Sequence, residues 1–243
     1  MPEVGSLSPV HADGDVRRPF WNYMDVGLII LLAIPALFLA SLTVEGIRNT
    51  VPALLPTPAF GQLIVQIIWY VLTFAFVRAL FRLKYNRPFW QSLGWRFPFK
   101  GMLSALFAGP LLAFGLGVVG FLLRAPPISL PFDQMLKGRP TTMLFFVFAV
   151  IVGPVSEELA FRGFLMPLVI RTAGPALGIV LTGVLFGCLH AQEYSYSWQH
   201  ILIVTLAGIA FGYVRYQSES TAASAVLHAA FNLTEFVGFM ARR

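Results

Sequence analysis

Apolar residues come in long blocks along this chain. They lie at roughly Met24–Val44, Phe60–Phe81, Gly101–Leu123, Thr142–Leu165, Ala173–Leu189, Trp198–Tyr216 and Ala222–Met240. A helix of about 18 or more apolar residues pairs its own backbone groups and crosses about 30 Å of hydrocarbon. The pattern predicts an all-α, polytopic membrane helix bundle of about seven spans, or eight if one long stretch breaks. The fourth block carries charges, which allows for a split or a tilt. Apolar and polar residues do not alternate at period two, so a barrel is not expected.

Composition strengthens this picture. The chain has 243 residues, 57% hydrophobic and 12% charged. A soluble domain carries about 25% charged residues, and this chain lacks the polar residues for such a shell. The polar first twenty residues end with Arg17 and Arg18 ahead of a span too long for a signal-peptide core, which predicts a retained anchor. Prolines punctuate two connections, Pro52–Pro56–Pro58 and Pro126–Pro127–Pro131.

The net charge of +6 does not point to nucleic acid, because the basic residues gather in one loop. Arg78, Arg82, Lys84, Arg87, Arg96 and Lys100 lie between the second and third blocks, which predicts a cytoplasmic loop and a cytoplasmic amino terminus. Lys137, Arg139, Arg242 and Arg243 pull the other way. A multi-pass protein of a bacterial inner membrane is the simplest location. The single cysteine, Cys188, excludes an internal disulfide framework and a Cys-rich metal site. It is expected to be a small buried residue.

Ionisable residues are nearly absent from the first three blocks and concentrate from Glu157 onward. Each costs roughly 3 kcal/mol or more inside a membrane, so each asks for a reason. Glu158 and Arg162 are four apart with the Glu first, the favoured order for a helical ion pair. Glu157 points about 100° away and is left without such a partner, which makes it the candidate base. His190 follows Phe186 by four residues, and a neutral imidazole beside a carboxylate can hold and polarise a water. His228 and Asn232 are again four apart, two donors suited to the oxyanion of a tetrahedral intermediate. His200 is expected at the interface beside Trp198, and Glu193 in a surface loop, whereas Glu235 could share the cavity. Small-xxx-small pairs at Gly174/Gly178, Gly183/Gly187 and Gly208/Gly212 predict close helix contacts in this half.

Together the elements Glu157-Glu158-x-x-x-Arg162, Phe186-x-x-x-His190 and His228-x-x-x-Asn232 resemble the CAAX protease and bacteriocin-processing family of intramembrane peptidases. The resemblance covers roughly Thr141–Phe239, including the stretch from Thr205 to Tyr213. It implies that residues 141–243 form a catalytic helical core behind amino-terminal helices and a basic loop in residues 1–140. It also implies that Glu157 and His190 activate water, that His228 and Asn232 hold the oxyanion, and that Glu158, Arg162 and Phe186 support the site. The expected activity is an endopeptidase acting on membrane-associated or prenylated, CAAX-type proteins or peptides, with the bilayer and the substrate as partners and no cofactor.

Three other readings compete. Glu157 with two histidines could bind zinc, although the chain has no HExxH and metal-free chemistry is favoured. Membrane Glu/His chains also mark proton-coupled transporters, for which an inverted repeat would be expected and none is visible. A non-catalytic scaffold or bacteriocin-immunity protein would tolerate Glu157→Gln.

Overall fold

A computed structural model describes residues 19–127, 136 and 138–241. Arg17, Arg18, Pro131, Lys137, Arg242 and Arg243, used above for orientation and punctuation, lie outside the described residues. Helices α1 (Tyr23–Thr50), α2 (Pro58–Tyr85), α3 (Phe89–Ser92) and α4 (Phe99–Leu122) come first. Then follow α5 (Arg139–Val147), a π-helical turn (Phe148–Val152), α6 (Gly153–Glu158), a second π-helical turn (Leu159–Leu165), α7 (Met166–Leu189), α8 (Trp198–Ser218) and α9 (Thr221–Met240). No strand occurs among the described residues.

Local chemistry fixes the helix ends. Asn22 and Asp25 form a reciprocal capping box at the start of α1. Thr57 caps α2 with Pro58 in its first turn, and Asn86 closes α2 in the left-handed conformation. Among the described residues, five helical stretches are long and apolar enough to cross a membrane. Their outer faces carry Phe38, Leu111, Phe114 and Phe121 largely exposed, an arrangement that suits lipid tails and not water.

One of the five, Arg139–Leu189, is 51 residues long. A straight helix of that length would reach about 75 Å, well over twice the hydrocarbon thickness. Gly174 resolves this: it has φ 81° and ψ 168°, and Pro175 follows it. The chain folds back there, since a methyl added to Gly178 would lie 2.9 Å from the backbone nitrogen of Ile170. The fourth and fifth predicted blocks are therefore antiparallel arms, joined at a glycine that the sequence pattern assigned to helix packing. A methyl added at Gly174 would meet nothing within 4 Å.

The other paired glycines make close contacts. Gly183 approaches Ile209, Gly187 approaches Thr205 and Ile201, and Gly212 approaches Ile179. These contacts lock the returning arm of α7 against α8. The α4 helix meets α9 at Gly109 and Ala230. The front of the chain is tied to the long helix through Trp21, whose indole N–H donates to the Phe164 carbonyl at 3.0 Å. Arg171 holds the carbonyls of Pro19 and Trp21. Trp21, Phe81 and Leu93 pack with Leu159, Phe164 and Leu168 in one core, and Phe186, Phe211 and Leu227 lie in a second, beside the charged cluster.

Candidate active site

Glu157 and Glu158 stand on α6, between the two π-helical turns. A π-turn widens the helix by one residue and recurs at functional sites. Here the two turns reorient a short piece of helix inside a long one, with Pro154 in its first turn. Pro154 thus sits where the helix is distorted, and the widening is the form the distortion takes.

Glu158 is fully buried. Its Oε1 accepts from Arg162 Nη1 at 3.0 Å and faces His228 Nδ1 at 3.1 Å, while Oε2 accepts from the Ser224 hydroxyl at 2.6 Å. The predicted pairing of Glu158 with Arg162 is present, inside the bundle. Arg162 is equally buried and donates its other terminal nitrogen to the Gly208 carbonyl at 2.6 Å. Its guanidinium also lies over the Phe186 ring at 4.7 Å, so Phe186 walls the ion pair as well as the histidine one turn away.

The two histidines can be assigned by elimination. A backbone carbonyl only accepts, so His190 Nδ1, 2.7 Å from the Phe186 carbonyl oxygen, carries a hydrogen. A carboxylate paired with a guanidinium also only accepts, so His228 Nδ1 carries one too. Both rings therefore turn Nε2 toward Glu157. His190 Nε2 is 3.9 Å and His228 Nε2 3.7 Å from Glu157 Oε2. These separations are too long for hydrogen bonds and leave Glu157 without a direct protein donor among the described residues. Phe186 contacts the His190 ring at 4.3 Å, and Phe211 stacks on His228 at 4.3 Å. Glu157 remains 21% exposed and His190 18%, whereas His228 is 5% exposed, so the cluster opens on the Glu157 side.

Asn232 is placed differently. Its side-chain nitrogen donates to the Ala149 carbonyl at 2.8 Å, in the first π-turn. The structure thus gathers Glu157, Glu158, Arg162, Phe186, His190 and His228, with Asn232 one turn beyond His228 and held to the neighbouring helix. Ser224 belongs to the same network and was not singled out in the sequence; it lies four residues before His228, the one signal that could have marked it.

Glu193 lies in the turn after α7, exposed and within electrostatic range of His190 and Glu157. His200 begins α8, bonded to Ser197 and stacked on Tyr194. Glu235 is exposed one turn past Asn232. Cys188 corrects an expectation: it is exposed and not buried. Its offset of about 200° from His190 turns it to the outer face of α7, beside the exposed Leu189. Among the described residues no group of three or more His, Cys, Asp or Glu side chains has metal-ligand geometry.

The family model described as Type II CAAX prenyl endopeptidase Rce1-like matches residues 139–234. The chain carries an Rce1-like segment. That segment begins at the first residue of α5 and contains every residue of the cluster. It agrees with the family resemblance of the three motifs. Helices α1 to α4 lie outside the Rce1-like match. Comparison with curated proteins and with solved structures finds no match.

Proposed function

We propose that this protein is an intramembrane endopeptidase that cleaves membrane-associated peptides or proteins, with prenylated CAAX-type termini as the first substrates to try. One observation carries the reading. A partly exposed carboxylate without a direct donor faces two imidazoles whose Nδ1–H groups are held from behind. That is a base with its partners aimed at one point, which a purely structural ion pair does not need. The Rce1-like match supports the same reaction class.

In this proposal a water sits between Glu157 Oε2 and the two Nε2 atoms. Glu157 takes one of its protons as the oxygen attacks the scissile carbonyl carbon, and His190 accepts a hydrogen bond from the other. The carbonyl oxygen becomes an oxyanion. His228 stabilises it as an imidazolium through Nε2–H, and the second amide hydrogen of Asn232 assists. Glu158 faces the Nδ1 side of the His228 ring and is placed to hold that positive charge. The proton on Glu157 then passes to the leaving amine as the C–N bond breaks, giving a new amine and a new carboxylic acid, which loses its remaining proton to water. Residues 141–243 are the catalytic core in this scheme.

The test is cleavage of a bilayer-anchored peptide by protein in nanodiscs, wild type against Glu157→Gln, with both product ends identified by mass. Wild-type cleavage that vanishes in the variant is expected. Equal cleavage by both would remove Glu157 as base, and binding without cleavage by either would favour a scaffold.

A further inference from the structure

The α2 helix lies outside the Rce1-like match, yet one of its faces leads to the site. Gln66, Tyr70 and Thr73 stand at i, i+4 and i+7, so they share one stripe of the helix, with Gln62 one turn before them and the basic Arg78, Arg82 and Lys84 toward its end. The Tyr70 ring lies flat against Phe148, with centroids 6.2 Å apart and planes 4° from parallel. Phe148 in turn adjoins the candidate base. A methyl built on Gly153 would touch Phe148 Cε1 at 3.8 Å and Glu157 Oε1 at 3.7 Å. Tyr70 thus stacks on a ring that shares the Gly153 surface with Glu157, and the two are within electrostatic range of each other.

Two hydrogen-bonding groups on this stripe are uncommitted. Gln66 donates its amide to the Tyr70 oxygen at 3.3 Å, which leaves the phenolic hydrogen with no acceptor among the described residues. Thr73 Oγ1 is buried without a partner among the described residues. Other helical threonines here close onto the carbonyl four residues back: Thr43 onto Leu39, Thr182 onto Gly178 and Thr234 onto Ala230. Thr73 does not, and a buried hydroxyl without a partner asks for one from elsewhere.

A peptide cut inside a helix bundle supplies what is missing. At the scissile bond its backbone must be extended, and its N–H and C=O groups leave water without internal partners. The groups of the charged cluster are either engaged or face the reacting centre: Arg162 binds Glu158 and Gly208, His228 Nδ1 faces Glu158, and one Asn232 hydrogen goes to Ala149. We infer that Tyr70 and Thr73 hydrogen-bond the backbone of an extended peptide substrate beside the scissile bond, so that α2 is the positioning wall of the site. This rests on the peptidase reading only in that Glu157 marks where the bond is cut. Backbone recognition of this kind is independent of substrate side chains.

The experiment measures binding and turnover separately, in nanodiscs, with one fluorescent bilayer-anchored peptide. Binding is read in the Glu157→Gln background, where nothing is cut. Tyr70→Phe and Thr73→Val keep shape and remove the hydrogen-bonding group, and each should weaken binding about threefold to tenfold. In the active background the half-saturating concentration should rise by the same factor, with the single-turnover maximum changed less than twofold. A peptide N-methylated at successive positions near the scissile bond should bind wild type as weakly as the variants at one position, with no further loss in the matching variant. Unchanged binding in both variants overturns the assignment, as does a lowered maximum rate at unchanged binding, which would make Tyr70 catalytic. Peptide that binds and is never cut, with binding still weakened by Tyr70→Phe, sinks the peptidase reading and leaves the α2 wall standing.

Discussion

His228 Nδ1 lies 3.1 Å from Glu158 Oε1, deep in the bundle, while the other side of the same ring faces Glu157. The adjacent glutamates thus lie on opposite sides of one imidazole. Glu158 is fully buried and holds Arg162, Ser224 and His228, so Glu158→Gln leaves the Arg162 charge without a counter-ion. Breaking a buried pair in this way costs about 3–5 kcal/mol. Glu157 is partly exposed and makes no direct hydrogen bond among the described residues, so Glu157→Gln should cost little stability and abolish turnover. Thermal unfolding of the two purified variants checks the contrast. A Glu158→Gln protein as stable as wild type would show that the network does not hold the fold.

Arg162 makes the same point from the cationic side. Its guanidinium donates to both Glu158 and Gly208 and lies over Phe186. Arg162→Lys keeps the charge and loses the planar fork, so it should not restore the folded yield lost in Arg162→Ala. Yield after detergent extraction, measured by size-exclusion profile, decides this. Normal yield with abolished cleavage would instead give Arg162 a direct part in the chemistry.

Asn232 should behave as an accessory donor. One amide hydrogen is committed to the Ala149 carbonyl, which leaves the other for a developing oxyanion. Asn232→Ala should lower the single-turnover rate by roughly 10²–10³ without eliminating it, the usual cost of one oxyanion donor. Complete loss would place Asn232 among the groups that move the proton, and an unchanged rate would leave it only its contact with the first π-turn.

Metal dependence is a separate question that the same geometry addresses. Both histidines donate their far ring nitrogen, a pattern also found behind metal ligands. Tetrahedral zinc with bonds of about 2.0–2.1 Å sets ligand atoms about 3.3 Å apart. The separations from Glu157 are wider, 3.7 and 3.9 Å. If Glu157 and the two imidazoles activate water by themselves, cleavage should survive exhaustive chelation, with no stoichiometric zinc by elemental analysis. A stoichiometric ion whose return restores activity would establish the metalloenzyme instead.

The sequence showed the helices because lipid demands unbroken apolar length, a property visible without contacts. It showed the Glu158–Arg162 pair because i,i+4 spacing is local. What it hid was non-local. Ser224 and Ala149 serve the site from other elements and carry no compositional mark of their own. Gly174 fits a small-xxx-small pattern and a chain reversal equally well on paper, and only its backbone angles distinguish them. Cys188 was misplaced because a lipid-facing surface accepts the same small apolar residues as a core. The Gln66–Tyr70–Thr73 stripe holds no ionisable acid or base at neutral pH, so a search by charge passes over it.

The last prediction concerns what holds the His190 arm in place. Gly187 lies three residues before His190, and a methyl added there would run into the Thr205 hydroxyl and approach the Ile201 carbonyl at 2.7 Å. The second obstacle is backbone on another helix, which cannot turn aside as a side-chain end can. Gly187→Ala should therefore push α7 from α8 and shift His190 relative to Glu157, at about 1–3 kcal/mol for overpacking. Gly115 is the control, since a methyl on its outward face meets nothing within 4 Å. Gly115→Ala should be neutral or slightly stabilising, through its better helix propensity. Cleavage rate and thermal unfolding are measured for both. Because near-attack geometry is sensitive to shifts of about an ångström, Gly187→Ala should lose more rate than its stability loss alone explains at temperatures where it stays folded. Equal behaviour of the two variants would mean that α7 and α8 do not meet at Gly187, and the close approach that aims His190 would fall with it.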